Sequence, residues 1–579
     1  MSKRFFHCCG ISLHLLITLF APLPAQESGS QEEAEDYESF VKDHEGFQLN
    51  LNRAETASLL ELPGLTPDLA ARIEASRPYR RLDDLRLVSG ITPDILDQVL
   101  PFLTLDEPVR WRGKVTTRVS RPAQHPNALD HLRLTQRAEF QLANRVSGFV
   151  LIDRDPQEPN WTDYATAHLT IDHSTGQVTL GDLRPEIGQG LLHSSLSRST
   201  SSFSGAKPRA ENHVANRSST EFGAIRGIHV STRWKGIAFQ ALYGQVKWDA
   251  LIGFDGPVEI RRTEEHVSQT ARDRKGILSE RMATVHLAFG SPRNHLGITA
   301  QHLGFSPAAP QGVSRRSLSL NGRKHWHEIA FFGEWATSGG GQALVSGLHW
   351  QRNGFRIRGL FRRYGPNFSS LHGAPFAAYG APPQNEAGVF FGCVYQAGRR
   401  TRFELSLDRH NHLVPERFAL PDTGLRFRLT ARRRVGQSSV LQISRSVRAT
   451  RYDRPREENR VTWLCAHRAL RSTAWVSRTA VSPMENGIAG GLRLQIGRGH
   501  RLALWRTHYH VGSYDARIYD FEPDVWGGGT LQTRTGHGKA SGLLLGLTAE
   551  NFHIAVRYSL RKTNGERASS WSLQINSVR

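Results

Sequence analysis

Arginine recurs at every second position in several apolar segments of the last four-fifths of the chain. The segment 425–432 reads Leu-Arg-Phe-Arg-Leu-Thr-Ala-Arg, and segment 552–561 shows the same alternation. Because side chains of an extended strand alternate between two faces, this pattern places guanidinium groups on one face and hydrocarbon on the other. Guanidinium groups form paired hydrogen bonds with phosphate and carboxylate groups, so we predict an anion-binding wall. Its candidate residues are Arg133, Arg137, Arg356, Arg358, Arg426, Arg428, Arg432, Arg557 and Arg561.

The charge of this region exceeds what internal pairing can compensate. Residues 107–579 contain 65 of the 74 Lys and Arg residues and 36 of the 53 Asp and Glu residues, so their net charge is +29. Some arginines could pair with acids such as Glu139, Glu404 and Asp408, and others could bind lipid phosphates at a membrane rim. A ring of inward-facing guanidinium groups would favour anions in a pore. These three interpretations stay open at the level of sequence.

The elements that must position these arginines are strands, because a period-two pattern begins near residue 112 and persists. Short turns, such as 351–354 and 397–400, alternate with long polar connections. One strand per about 20 residues predicts about 20–24 strands, with an even number expected for a barrel. Clear strands are predicted at 132–142, 355–361, 402–408, 425–432, 492–496 and 552–560, and long connections near 197–219, 253–277, 306–324, 364–386 and 512–539.

The apolar strand faces require a partner, which is either a second sheet or lipid. A soluble sandwich would bury them between two sheets, whereas a transmembrane barrel turns them to the membrane. Hydrophobic residues make up only 39% of the chain and the mean hydropathy is −0.43, which excludes a helical membrane protein. Short turns on one side and long connections on the other favour the barrel. We predict a mainly β fold, with a large antiparallel transmembrane β-barrel over 112–579 preceded by a small all-α domain.

The N-terminus predicts export. Residues 1–25 have a charged start, an apolar stretch over 11–20 and a cleavage site after Ala25, as in a secretory signal peptide. Residues 26–45 contain eight acidic residues and a single Lys, which predicts an acidic disordered linker. An exported chain that spans a membrane with closed strands belongs in a bacterial outer membrane.

Residues 46–106 contain a repeated turn signal. Segment 62–68 reads Leu-Pro-Gly-Leu-Thr-Pro-Asp, and segment 88–94 reads Val-Ser-Gly-Ile-Thr-Pro-Asp. Glycine permits a tight turn, threonine caps the next helix, proline takes its first position, and aspartate favours its positive end. We therefore predict two helical hairpins that share an apolar core. The predicted core residues are Leu69, Ile73, Leu85, Ile95, Val99 and Leu103.

This segment resembles the tandem helix-hairpin-helix domain of the ComEA type, including its opening Leu-Asn-Arg-Ala at 51–54 and its ending Leu-Pro-Phe-Leu at 100–103. In the strand region, segments 181–192 and 218–227 resemble parts of large exported Bacteroidota proteins. Those proteins join an N-terminal helix-hairpin-helix domain to an outer-membrane barrel. The resemblance implies this architecture and assigns no biochemical role.

The resemblance also implies a nucleic-acid site. Helix-hairpin-helix domains usually bind DNA through hairpin amides that point at a phosphate. Two features of this module oppose DNA binding: Asp68 and Asp94 follow the hairpins, and residues 46–106 have a net charge of −3. Docking to a protein or to the barrel is the alternative. The candidate DNA-binding residues are Gly64, Leu65, Thr66, Gly90, Ile91, Thr92, Arg77, Arg80 and Arg81.

The sequence contains no G-x-S-x-G or H-E-x-x-H motif and no phosphate-binding loop, so we expect no enzyme activity, no cofactor and no metal site. The leading prediction is binding or conduction of a polyanion, with DNA as the candidate. The alternative is a non-catalytic envelope assembly or structural protein whose helical module plugs the barrel or docks a periplasmic protein. The expected partners are outer-membrane lipid, DNA or another polyanion, and a periplasmic protein. The expected location is the outer membrane, with the N-terminal domain in the periplasm.

Overall fold

The computed structural model of the chain describes residues 49–578 with short gaps. The gaps are 53, 55–58, 60–61, 63–64, 66, 92–94, 97–98, 106–110, 123–130, 143–144, 195–202, 204, 210–214, 254–257, 263–265, 311, 381, 399, 416–422, 437, 452–453, 468, 483–484, 498–499 and 526–528. The predicted signal peptide, the acidic linker, and the hairpin residues Gly64, Thr66 and Thr92 lie outside the described residues.

The N-terminal module is small and helical, with its ends tied together by two short parallel strands, β1 (Leu49–Asn50) and β2 (Leu103–Thr104). Between them lie helix α1 (Pro67–Ala75) and the 3-10 helices Leu82–Leu87 and Leu100–Phe102. The predicted core is confirmed, since all six predicted residues are buried in one cluster. Among the described residues, no helix has the length and apolar character needed to cross a bilayer.

Twenty-four antiparallel strands form one closed barrel, which confirms the predicted fold class at the upper limit of the expected strand number. The first half, with the extra strand β10, comprises β3 (Trp111–Arg121), β4 (Arg133–Leu142), β5 (Val146–Arg154), β6 (Tyr164–His173), β7 (Gly176–Leu183), β8 (Ile225–Trp234), β9 (Ile237–Ile252), β10 (Val258–Arg261), β11 (Leu278–Ser291), β12 (Asn294–Ser306), β13 (Arg316–Trp326), β14 (Ile329–Ser338) and β15 (Gly341–Arg352). Helix α2 (Gln269–Arg274) lies between β10 and β11.

The second half contains one hairpin, β25–β26, that pairs outside the barrel sheet. The strands of the second half are β16 (Phe355–Tyr364), β17 (Glu386–Ala397), β18 (Thr401–His412), β19 (Thr423–Val435), β20 (Ser439–Thr450), β21 (Arg456–His467), β22 (Leu470–Ala480), β23 (Asn486–Ile496), β24 (Arg501–Val511), β25 (Ile518–Pro523), β26 (Gly529–Arg534), β27 (Gly536–Ala549), β28 (Phe552–Thr563) and β29 (Glu566–Val578). Pairing of β29 with β3 closes the barrel, with Leu573 opposite Val119.

The two ends of the barrel differ in the length of their connections. At one end, which we call the turn end, consecutive strands are joined by two to four residues. At the other, which we call the loop end, connections reach 184–224, 253–277, 365–385 and 512–535. Because the strand number is even, β3 begins and β29 ends at the turn end. The helical module, which precedes β3 in the chain, is therefore connected to the barrel at this end.

The outer face of the barrel is apolar. Phe361 on β16, Leu429 on β19 and Val556 on β28 are all exposed, and their strand neighbours point inward. This arrangement excludes the soluble sandwich, in which such side chains would be buried between sheets. An exposed apolar wall on a closed sheet matches the outer surface of a transmembrane barrel.

One predicted connection is wrong. Segment 306–324 contains the end of β12 and most of β13, and the connection covers only 307–315. Ser317, Ser319 and Asn321 are buried on the inward face of β13, while Leu318 and Leu320 are exposed on the outer face. Small polar residues that line a barrel interior have the composition of a polar loop, which is why the sequence predicts a connection here.

Candidate functional site

All nine arginines of the predicted anion-binding wall point into the barrel. On β16, Arg356 and Arg358 are buried, whereas Phe355 on the same strand is exposed. The others lie on the inward-facing side of their strands: Arg133 and Arg137 on β4, Arg426, Arg428 and Arg432 on β19, and Arg557 and Arg561 on β28. What their guanidinium groups contact decides what they can do.

Several of these arginines hold backbone segments that fold into the lumen. The connection 184–224, which we call the inner loop, enters the barrel from the loop end. Its Phe203 carbonyl accepts a hydrogen bond from Arg358, and its Arg209 carbonyl accepts one from Arg323 on β13. Arg323 lies close to the turn end of its strand, so the inner loop reaches deep into the lumen.

The inner loop is also packed against the wall by apolar and acidic contacts. Phe203 belongs to one buried cluster with Phe332, Leu360 and Phe390 of the wall. The Oε2 atom of Glu334 on β14 accepts hydrogen bonds from the backbone amides of Gln189 and Leu191, at 2.7 and 3.0 Å. Gly188 has a φ of +63°, and a Cβ atom there would lie 2.7 Å from that Oε2 atom.

A second inserted segment is the connection 512–535, which contains β25 and β26 and which we call the inner hairpin. Its backbone carbonyls accept hydrogen bonds from wall arginines: Arg456 to Arg517 at 2.7 Å, Arg460 to Tyr519 at 2.9 Å, Arg557 to Pro523 at 3.0 Å, and Arg493 to Phe521. A carbonyl oxygen satisfies a guanidinium donor but does not cancel its charge. Three of these arginines also lie near carboxylates, since Arg557 pairs with Glu522, Arg456 lies 3.5 Å from Glu458, and Arg493 lies 3.9 Å from Asp520.

The inner hairpin carries its own ion-pair network. Arg534 on β26 contacts Asp520 at 3.0 Å and Glu522 at 2.6 Å, and all three side chains are almost fully buried. Glu522 also pairs with Arg557 of the wall. Removing one member would leave a buried charge uncompensated, so this network fixes the hairpin to the wall.

The connection 365–385 is held in a similar way. Arg426 donates to the carbonyl of Ala378 at 2.8 Å, and Arg209 of the inner loop donates to the carbonyl of Ala374 at 2.8 Å. Arg362 pairs with Glu386 and with Asp408, where the two Asp408 bonds measure 2.8 and 3.1 Å. Glu386 in turn accepts hydrogen bonds from the amides of this connection.

Other wall arginines pair with acids. Arg133 contacts Asp153 at 2.7 Å and Asp155 at 3.1 Å, and Arg137 contacts Glu139 at 2.7 Å. One of the roles that the sequence left open, pairing with acids, is thus present in the wall. The bonds to inserted backbone are a role that the sequence did not predict. Arginines also occur on the outer face near the loop end, where Arg363, Arg409 and Arg478 are exposed.

The helical module contacts the barrel through both of its hairpins. The Gly90 carbonyl accepts a hydrogen bond from Nε2 of Gln351, at the turn end of β15, at 3.1 Å. The Leu65 carbonyl lies 3.5 Å from Nζ of Lys207 in the inner loop. Burial and the nearby Arg358 lower the pKa of Lys207 to about 8. Through Lys207, the described residues of the inner loop therefore reach the helical module.

The predicted DNA-binding residues of the module fall into different environments. Arg77 donates to the carbonyls of Leu51 and Ala54, so its guanidinium group stabilises the module itself. Arg80 and Arg81 are exposed, and their backbone amides donate to Asp84. Ile91 follows Gly90, whose carbonyl is bonded to the barrel.

Sequence reasoning missed a cluster at the loop end. Glu158, Asp163, Glu221 and His266 place their ligand-type atoms within 4.8 Å of one another, although they come from three different connections. No spacing rule could find them, because 108 positions separate Glu158 from His266.

The helix-hairpin-helix motif family matches residues 45–104, and no curated protein sequence matches the chain. Among solved structures, the P pilus usher (PapC) translocation pore aligns over 81% of this chain and 99% of its own, with 9% identity and a TM-score of 0.36. An E. coli P pilus tip assembly intermediate, PapC-PapD-PapK-PapG, aligns over 82% of this chain and 61% of its own, with 9% identity and a TM-score of 0.48. A mutant ferric enterobactin receptor (PfeA) from Pseudomonas aeruginosa aligns over 83% of this chain and 82% of its own, with 8% identity and a TM-score of 0.39. Similarity at this level carries no functional argument.

Proposed function

We propose that this protein is a non-catalytic, gated outer-membrane barrel whose arginine wall holds the inner loop and the inner hairpin in the lumen at rest. The observation that carries the proposal is the set of wall guanidinium groups bonded to backbone carbonyls of these two segments. Displacing the segments would free these guanidinium donors to bind an anion in the lumen. An anionic cargo is the ligand class that such a wall attracts.

The orientation follows from chain geometry and the predicted export signal. The barrel begins and ends at the turn end, so the helical module lies on that side. Short turns face the periplasm and long connections face outward in barrels of bacterial outer membranes. The helical module then docks beneath the barrel in the periplasm and contacts the inner loop from below, as a sensor or a site for a periplasmic partner.

Conductance across planar lipid bilayers tests the gate. The full chain should conduct poorly, and replacing 513–534 with a short Gly-Ser linker should give larger, anion-selective currents. Deletion of 26–106 should change conductance little, because the chain's own connections fill the lumen. Arg478→Ala, on the outer face, is the control. An unchanged current after hairpin replacement, or equal opening after deletion of 26–106, contradicts the proposal.

A second candidate is DNA binding by the helical module, supported by the exposed Arg80 and Arg81. The full chain in detergent should retain duplex DNA at low ionic strength, and added salt should release it because binding releases counterions. The double variant Arg80→Ala/Arg81→Ala should lose retention, whereas Arg363→Ala on the outer barrel face should not. Equal retention by both variants would reject this site.

A further inference from the structure

Four ligand-type side chains converge at the loop end, above the wall. Glu158 and Asp163 come from the connection between β5 and β6, Glu221 from the end of the inner loop, and His266 from the connection 253–277. Their side chains are 0%, 4%, 5% and 2% exposed, respectively. Burying three carboxylates around one imidazole is costly unless a cation compensates them.

The imidazole of His266 is oriented as in a metal site. Its Nε2 atom lies 2.7 Å from Oδ2 of Asp249, whose other oxygen accepts a hydrogen bond from the Gly276 amide at 2.9 Å. Metal-binding histidines usually donate their second ring N–H to a carboxylate in this way. A proton on Nε2 leaves a lone pair on Nδ1, which faces Asp163 at 3.0 Å and Glu221 at 3.2 Å.

One carboxylate oxygen of the cluster stands apart from the others. Both oxygens of Glu158 accept hydrogen bonds at 2.9 Å, one from the amide of His266 and one from the amide of Asp155. Oε2 of Glu221 is buried and accepts no hydrogen bond from the part of the chain that the structure describes, although it lies 3.2 Å from Nδ1 of His266. Lys275 pairs with Asp163 and compensates one of the four carboxylates, counting Asp249. The unpartnered oxygen is the position where a bound cation would supply the missing charge.

We propose that Glu158, Asp163, Glu221 and His266 bind one divalent transition-metal ion, with Zn²⁺ as the first candidate. Carboxylate ligands alone suit Mg²⁺ or Ca²⁺, whereas an imidazole ligand favours Zn²⁺ and other transition metals. Neighbouring ligands of a tetrahedral zinc ion lie about 3.4 Å apart, so binding draws together atoms now spread over up to 4.8 Å. Asp249 is a positioning residue that orients the imidazole.

The ion would join three connections whose described residues share no ladder of backbone hydrogen bonds. Glu221 stands near the point where the inner loop returns to β8, and Arg184 at the start of this loop donates to the Phe222 carbonyl at 2.7 Å. A metal at Glu221 therefore fixes the upper end of the inner loop to its neighbours. This inference concerns a binding site and holds whether or not the barrel is gated.

The test uses the full chain, purified in detergent and stripped of metal, with calorimetric titration of Zn²⁺, Mn²⁺ and Ca²⁺ salts. We expect one Zn²⁺ per chain. Asp249→Asn removes the carboxylate that orients the imidazole and should weaken Zn²⁺ binding by about 10- to 100-fold. Glu221→Gln and His266→Gln each remove a ligand and should weaken Zn²⁺ binding by at least as much. The matched control is Glu259→Gln, an exposed acid on β10 paired with Arg261.

Folding of each variant is checked by the heat-dependent shift of the barrel on gels. Zinc X-ray absorption of the wild-type chain gives a second readout that needs no variant, and it should detect an imidazole ligand. Absence of stoichiometric Zn²⁺ binding, binding of Ca²⁺ alone, or a first shell without imidazole would each overturn the proposal.

Discussion

Arg358 holds Phe203 in two ways, by donating a hydrogen bond to its carbonyl and by placing its guanidinium carbon 4.4 Å from the centre of its ring. The arginine lies on the wall and the phenylalanine on the inner loop, 155 positions away. The guanidinium group of Arg358 therefore holds the inner loop both as a hydrogen-bond donor and as a flat cation against an aromatic ring. A guanidinium group suits this role better than an ammonium group, because it can donate and stack at once.

Arg358→Ala should release the inner loop. A hydrogen bond to a charged group contributes about 1.5–3 kcal/mol, so local opening should rise by about 10- to 100-fold. Trypsin cleavage after Arg209 measures this opening. Arg363→Ala changes the outer face of the same strand and should leave cleavage unchanged. Equal cleavage in the two variants would mean that Arg358 does not retain the loop.

Gly188→Ala should also loosen the inner loop, for a steric reason. Gly188 has a φ of +63°, and the added Cβ would lie 2.7 Å from Oε2 of Glu334. Gly398, in a turn, has a φ of +64° with nothing within 4 Å of a Cβ, so Gly398→Ala isolates the backbone cost of about 1–2 kcal/mol. Urea unfolding should show a larger loss for Gly188→Ala. Matching losses would argue against the close contact with Glu334.

Arg534→Met should destabilise the inner hairpin strongly. Removing one partner of a buried pair costs about 3–5 kcal/mol, and here Asp520 and Glu522 lose a shared cation. Arg445→Met breaks an exposed pair with Glu457, which should cost at most about 1 kcal/mol. Thermal unfolding, followed by the gel shift of the barrel, compares the two variants. A ranking opposite to this one would refute the role given to Arg534.

Gln351→Ala should weaken docking of the helical module. The variant removes the hydrogen bond to the Gly90 carbonyl, which contributes about 0.5–1.5 kcal/mol. Hydrogen exchange of the 3-10 helix Leu82–Leu87 and of the following turn should quicken. Gln342→Ala, at the loop end of the same strand, serves as control because Gln342 is exposed and far from the module. No change in exchange would show that the module docks by other contacts.

The two faces of the barrel wall were predictable from sequence because alternation is a local property. Apolar residues such as Leu425, Leu429 and Val556 alternate with polar ones along their strands. An extended strand therefore places them on the opposite face from Arg426 and Arg557. The same reasoning failed for β13, where Ser317 and Asn321 alternate with leucines. Inward positions of a barrel accept small polar residues, so polarity there does not indicate a loop.

The amino-acid sequence by itself determined which face of each strand is apolar, the approximate number of strands and the core of the helical module. It also determined that one end of the barrel has short turns and the other has long connections. Each of these depends on neighbours within a few positions, where periodicity and turn chemistry act. Only the tertiary structure decided that wall arginines bond to carbonyls of inserted segments and that His266 meets Glu158, Asp163 and Glu221. Those contacts join residues far apart in the chain, and closing a sheet into a cylinder is what brings long connections back over and into the same lumen.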